Sequence, residues 1–152
     1  MPTLKDQLRA DLTAAMKARD DTRTRTLRMA LTSISNEEVS GTAAHDLTDD
    51  QIVKILTREV KRRREAAAAF AEAGRADQAA AERAEEDVLV AYLPAQIDDA
   101  ELAALVVAAI AETGASGMSG MGQVMKVITP RVAGRADGSR VAAMVRSQLS
   151  GQ

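Results

Sequence analysis

Adjacent carboxylates are the first residues of this chain that could do chemistry. Asp20-Asp21, Asp49-Asp50 and Asp98-Asp99 form pairs, and Glu85-Glu86-Asp87 forms a run. Paired carboxylates can act as general acid and base or hold a divalent cation. Each Asp pair, however, stands where a helix should begin. There a carboxylate accepts unpaired backbone N–H groups and meets the positive end of the helix dipole. The pairs are therefore read as caps, and residues 85–87 as a solvated acidic face. The one histidine, His45, has no Ser, Asp or Cys at a motif spacing to work with. Cysteine is absent, which excludes disulfides, thiolate zinc sites and a cysteine nucleophile. A single histidine excludes a cluster of histidine ligands. The sequence leads us to expect no catalytic residue, no metal site and no cofactor.

Residues 114–122, Gly-Ala-Ser-Gly-Met-Ser-Gly-Met-Gly, precede a helical segment. Such a loop can cradle a phosphate on backbone N–H groups. No Gly-Lys-Ser/Thr follows and no strand precedes it, so no nucleotide-loop signature is met. It reads as a flexible connection that permits close helix packing.

Charge is more informative in its distribution than in its sum. Lys and Arg total 20 and Asp and Glu 22, a formal net charge of −2. That excludes a surface built throughout to hold nucleic acid. Locally, residues 17–28 carry five bases (Lys17, Arg19, Arg23, Arg25, Arg28) against Asp20 and Asp21. Residues 54–64 carry six bases against Glu59, and residues 72–87 carry six acids against Arg75 and Arg83. The four consecutive bases Lys61, Arg62, Arg63 and Arg64 span ~300° of a helix, so at least two must face solvent or a partner. Two readings follow: a phosphate-contacting patch, or a basic stretch paired with the acidic helix beside it. Phe70 and Tyr92 are the whole aromatic content. Any RNA contact would then read backbone and shape, not stacked bases.

The elements that must position these groups are helices. The chain has 152 residues, enough for one fold or two small subdomains, and 46% are hydrophobic, which argues against disorder. Leu4, Leu8, Leu12 and Met16 recur at spacing four, and Leu27, Leu31 and Ile34 form a second stripe ending near Gly41. Asp21 is placed to cap that second helix, and residues 42–47 read as a loop. Thr48-Asp49-Asp50-Gln51 is a capping box. The helix it opens carries Ile52, Ile55, Leu56, Val60 and Phe70, runs to Ala73, and closes at Gly74. A fourth helix over Arg75–Tyr92 makes an antiparallel hairpin with it. Leu93-Pro94 marks a boundary, because proline disfavours helical geometry in the residue before it. Residues 95–97 read as a linker. Asp98 to Glu101 is another capping box, followed by Leu102, Leu105, Val106, Ala109 and Ile110 at helical spacing. Gly114 ends that helix, and Met121, Val124, Met125 and Ile128 begin the next. Pro130 should kink or end it. Asp137 can cap a last helix carrying Val141, Met144, Val145 and Leu149. The expected fold is all-α: a four-helix N-terminal domain with a long hairpin over 1–93, and a small three-helix domain over 94–152.

Met1–Asp6 shows no apolar targeting segment, and no run of ~20 apolar residues exists to cross a bilayer. The longest apolar stretch is Leu102–Ala111. A cytoplasmic location is expected, with no membrane partner.

Several stretches, in their order and spacing, resemble the GatB/YqeY family. They are residues 15–20 (Ala-Met-Lys-Ala-Arg-Asp), Leu27-Arg28, Asn36-Glu37, Val60 to Glu65, Phe70, Ala73-Gly74-Arg75, Tyr92-Leu93-Pro94, Glu112 to Ala115, Met121-Gly122 and Gly134 to Gly138. The resemblance runs from about Leu4 to Leu149 and is closest to the stand-alone YqeY-like proteins. About residues 95–150 are similar to the tail domain of the B subunit of the tRNA-dependent amidotransferase. The resemblance implies an all-helical fold and a non-catalytic accessory module that contacts tRNA or a tRNA–enzyme complex. The family's association with carbon–nitrogen ligase activity, with glutamine as amide donor, would then describe the assembly. It makes Arg135 a phosphate contact, with Lys126, Arg131 and Arg140 as neighbouring bases. Residues 134–138 also fit a tight turn in which Arg135 pairs with Asp137. Gln123 and Ser139 stand where many members carry Lys, which lowers the local positive charge. The alternative partner is a protein, docking on the long hairpin or on a face bearing Met121, Met125 and Met144. Those methionines equally fit a core stripe.

Overall fold

Caps and periodicity act together to set where each helix begins and ends. The computed structural model describes residues 1–151. Among these residues there are seven α-helices, one 3-10 turn and no strand, so the chain is all-α as its periodicity predicts. They form two compact units, Met1–Leu93 and a second that begins at Pro94.

In the first unit, α1 (Leu4–Lys17) opens with a capping box. The Asp6 N–H donates to the Thr3 hydroxyl and the Thr3 N–H to the Asp6 carboxylate, each at 3.1 Å. The bond from the Thr3 N–H, then that with its hydroxyl, favours the ionised form and holds Asp6 below the ordinary carboxylate range. α2 (Asp21–Glu38) is capped by Asp20, which accepts from the Arg23 N–H at 3.1 Å. Asp21, expected as the cap, is instead the first helical residue, and the helix stops at Glu38, short of Gly41. α3 (Asp49–Glu72) starts from the expected Thr48–Gln51 box. It ends with the Gly74 N–H on the Ala71 carbonyl and the Arg75 N–H on that of Phe70, with Gly74 at φ +73°. These are the paired bonds of a Schellman end, whose left-handed residue is usually glycine. α4 (Ala76–Val90) follows and stops two residues before Tyr92. The Tyr92 and Leu93 N–H groups turn onto Leu89 and Val90 as the chain approaches Pro94.

α3 and α4 pack as the long hairpin, α1 packs on α2, and α2 lies against both α3 and α4. Leu8, Leu27, Ile34, Ile52, Leu56 and Leu89 are fully buried between them. Truncating one such leucine to alanine removes about 2–5 kcal/mol. Met16, the last member of the first stripe, is exposed, and Ala15 is buried instead. A spacing of four advances about 40° per step around a helix, so the stripe drifts off the buried face. At the α1–α2 turn the Asp20 N–H donates to Ala15 and the Arg19 N–H to Met16, a second Schellman end. Its left-handed residue is Arg19, at φ +56°. That conformation costs a residue with a Cβ roughly 1 kcal/mol or more. The Tyr92 hydroxyl donates to Asp11 at 2.6 Å. Burial and then that bond push the Tyr92 phenol up to about 12.

The second unit contains α5 (Asp99–Thr113), α6 (Met121–Val132) and α7 (Gly138–Ser150). Asp98 accepts from the Glu101 N–H at 2.7 Å, but the expected box is only half made. Glu101 turns its carboxylate to Arg135. Gly114 ends α5 at φ +66°. A 3-10 turn over Met118–Gly120 then leads into α6. α6 passes through Pro130 and ends at Val132, two residues later than the proline rule predicts. The proline costs α6 one ladder bond, that to the Lys126 carbonyl, and the helix ends within a turn of it. Residues 95–97 are more than a linker. Ile97 is buried in the second core, its N–H donates to Arg135 at 3.0 Å, and the Gln96 amide donates to Gly134 at 2.9 Å. Leu102, Val106, Ile128, Val141, Val145 and Leu149 fill that core, with Met121, Met125 and Met144 packed half-buried against it. Among the described residues no single helix is long and apolar enough to cross a membrane.

Two expected outcomes follow from this packing. A Cβ at Gly120 would lie 2.5 Å from the Ala115 Cβ, whereas one at Gly122 meets nothing within 4 Å. Gly120→Ala should therefore destabilise by about 1–3 kcal/mol. Gly122→Ala, within α6, should be neutral or stabilising by up to about 1 kcal/mol. Urea titration of both variants checks the contrast, and equal midpoints refute it. The second outcome concerns alkaline pH. With the Tyr92 phenol raised in the fold from 10.0 to about 12, the unfolded chain releases this proton first. Its contribution is whole below pH 10 and is lost as pH rises towards 12. The unfolding midpoint should fall more steeply over that window in the wild type than in Tyr92→Phe.

Candidate nucleic-acid interface

The eight bases expected to contact phosphate fall into different environments. Arg63 is the most buried, at 5% exposure, in the seam between α3 and α4. Its Nη1 donates to the Glu59 carboxylate at 2.8 Å and to the Glu59 carbonyl at 3.2 Å. Its Nε donates to Glu85 at 3.3 Å, and Nη2 lies 3.8 Å from the Met29 sulfur of α2. Glu59 is itself buried and also accepts from Ser33 of α2 at 3.1 Å. Arg64 donates to Glu86 at 2.8 Å, and Arg25 of α2 donates to Glu85 at 3.0 Å. Lys61 is half-buried and has a partner of its own. Arg62 stands apart. Its side chain is 75% exposed and reaches Glu59 only at 3.6 Å.

Two of the four bases, Arg63 and Arg64, thus pair with the acidic helix beside them, as the second of the two readings has it. Register explains it. Residues 63 and 85 are eleven positions on either side of Gly74, so an antiparallel hairpin closing there sets them opposite each other. Glu59 entered the sequence reading only as one acid to subtract from the basic stretch. Its spacing to Arg63, i to i+4 with the acid first, was the signal that could have singled it out. Met29, Glu59, Arg62, Arg63, Glu82 and Glu85 line a shallow cleft of about 200 Å³. Three carboxylates against two guanidiniums do not make an anion site of it.

In the second unit the arginines hold chain ends and carry weak surface pairs. Arg135 donates to the Ala95 carbonyl at 3.0 Å and to Glu101 at 3.1 Å. Arg140 donates to the Ile97 carbonyl at 2.9 Å and to Asp99 at 2.6 Å. Arg131 donates to Glu112 at 2.6 Å. The acids in these pairs are exposed, Asp99 at 83% of its side chain. Lys126, on α6, is exposed and has no partner among the described residues. Asp137 caps α7 by accepting from the Ser139 N–H at 2.9 Å.

The other candidates for chemistry have structural roles. Asp20 and Asp98 are caps, Asp49 accepts from the Leu4 N–H at 3.1 Å, and Asp99 holds Arg140. His45 is exposed in the loop after α2, and its ring has no hydrogen-bond partner among the described residues. Among those residues no three His, Asp or Glu side chains converge as a metal site.

The family model for Yqey-like protein matches residues 5–149, spanning both units. The chain belongs to that family. No curated protein matches it. In this YqeY-like protein the family match therefore covers the hairpin with its buried ion pairs and the three-helix unit with its exposed ones.

The two kinds of cation should respond differently to mutation. Arg63→Ala leaves Glu59 and Glu85 facing each other in the seam, and removing one partner of a buried pair costs about 3–5 kcal/mol. Arg62→Ala, next to it in sequence, should change stability by no more than about 0.5 kcal/mol. Chemical denaturation of the two variants measures the difference.

Proposed function

We propose that this YqeY-like protein is a non-catalytic accessory module that binds tRNA, alone or within a tRNA–enzyme complex, through phosphate contacts. The reading is supported by a resemblance in sequence of about residues 95–150 to the tail of the amidotransferase B subunit. The observation that carries it is the contrast between buried and exposed bases. Exposed ion pairs contribute about 0–1 kcal/mol each, so a phosphate can take the place of Asp99, Glu101 or Glu112 at little cost. Arg131, Arg135 and Arg140 present such exchangeable guanidiniums, and Arg62 and Lys126 are already open. Arg63 belongs to the scaffold and is left out of the contact set. Lys61 and Arg64 already have partners and contribute less. Phe70 and Tyr92 are half-buried, so contacts run along the backbone and not through stacked bases. Carbon–nitrogen ligase chemistry with glutamine as amide donor, the activity of the assembly, is assigned to partners. Asp20, Asp98 and Asp137 serve as caps, Glu59, Glu85, Glu86, Asp99, Glu101 and Glu112 as ion-pair partners, and His45 has no orienting partner among the described residues.

Protein docking is the second reading. Met121, Met125 and Met144 pack half-buried against the second core, and Met29, exposed beside the α3–α4 hairpin, is an apolar side chain that a partner on the hairpin would meet.

Binding of unfractionated tRNA, followed by fluorescence anisotropy across a salt series, tests the proposal. Affinity should fall with salt, the log–log slope growing by roughly 0.7–0.9 per phosphate contacted. Arg62→Ala combined with Lys126→Ala should weaken binding and flatten the slope. No binding at low salt, together with stoichiometric recovery of one protein partner, selects the docking reading.

A further inference from the structure

The α1–α2 corner carries cations that the contact set above does not include. Lys17 ends α1, Arg19 lies in the turn, and Arg28 is on α2. The Arg28 guanidinium folds over the end of α1, 3.7 Å from the Met16 sulfur, which brings it to the same corner as Lys17 and Arg19. All three are exposed, and none has a carboxylate partner among the described residues. The neighbouring charges are committed elsewhere. Asp20 caps α2, Arg25 donates to Glu85, Arg23 faces Tyr92, and Asp11 accepts from Tyr92. Asp21 remains as the one exposed carboxylate of residues 17–28.

The backbone supplies an independent observation. After α3 and α5 the left-handed position is filled by Gly74 and Gly114. After α1 it is filled by Arg19, at φ +56°, although a glycine would adopt this geometry without strain. The Arg19 side chain is exposed and makes no hydrogen bond among the described residues. An unfavourable backbone conformation at an exposed cation, on a corner that carries two more, points to a ligand outside the chain.

We propose that Lys17, Arg19 and Arg28 form a docking point for the phosphate backbone of duplex RNA. The inference rests on the reading of the chain as an RNA-binding module and adds a contact surface on the first unit. The chemistry favours a nucleic acid over an anionic membrane. Three bases are fewer than the cluster of about 4–8 that holds a protein to acidic lipid. Met16 is the one apolar side chain at the corner, and no aromatic is there to anchor in a bilayer. The absence of aromatics likewise favours backbone over base contacts.

The full-length protein with an RNA duplex of about 16 base pairs, from about 50 to about 200 mM salt, tests the proposal. Arg19→Gly should lower affinity several-fold and reduce the salt slope by roughly 0.7–0.9, while its melting temperature stays the same or rises. Opposite movement of affinity and stability is what a merely structural Arg19 would not give. Adding Lys17→Ala and Arg28→Ala should deepen the loss. Wild-type affinity in this triple variant, with Arg62→Ala/Lys126→Ala still weakened, overturns the corner and leaves the proposed function standing. Absence of RNA binding by the wild type overturns both. Capture by phosphatidylserine vesicles without RNA binding overturns them in favour of a membrane.

Discussion

Arg63 carries a full positive charge into the seam where α2, α3 and α4 meet, and a charge there is tolerable only while Glu59 and Glu85 answer it. Much of the first unit is arranged around that requirement. Glu59 sits one turn before Arg63 on α3, Glu85 faces it from α4, and Ser33 of α2 closes the remaining acceptor on Glu59. The hairpin register that aligns 63 with 85 also aligns Arg64 with Glu86. A slip along the seam would bury an unanswered charge, so the ion pairs specify how α4 lies on α3 more than they add to net stability. The aliphatic core supplies the stability, and it is generic: leucine, isoleucine and valine with no aromatic at its centre.

The second unit uses arginine differently. Arg135 and Arg140 reach back to the carbonyls of Ala95 and Ile97, tying the segment after Pro94 to the ends of α6 and α7. Their second partners are exposed acids on α5. A guanidinium has five donors, so it can keep a carbonyl contact while exchanging a carboxylate for another anion. That division between a fixed and an exchangeable contact lets one residue serve both fold and binding. It is also why the number of bases in a stretch is a poor guide to its function. What matters is the charge left over once the acids nearby have been matched.

Much of this fold can be read along the chain. Thr48, Asp98 and Asp137 announce helix starts through hydrogen bonds that span two or three residues, and Gly74 and Gly114 announce ends through a conformation that favours glycine. Family membership is legible for a related reason, since it depends on the order of such local signals over residues 5–149. The misplacements are small and have local causes: a cap shifted from Asp21 to Asp20, a helix that tolerates Pro130 near its end, and Met16 rotated off its stripe.

The candidate site was legible only as composition. Lys61 to Arg64 announced positive charge, but which of them would be open depended on Glu59 and Glu85, and Glu85 is more than twenty residues away from Arg63. Residues 95–97 looked like a linker until Ile97 entered the second core, Arg135 took the Ala95 carbonyl and Arg140 took that of Ile97. By itself, the sequence determined the seven helices of the described residues, the caps at Thr48, Asp98 and Asp137 and an all-α class, because those depend on backbone hydrogen bonds and side-chain period within a few residues. Only the tertiary structure decided which charges remain free, because a charge is neutralised by whatever lies within a few ångströms in space, and the chain order does not say what that will be.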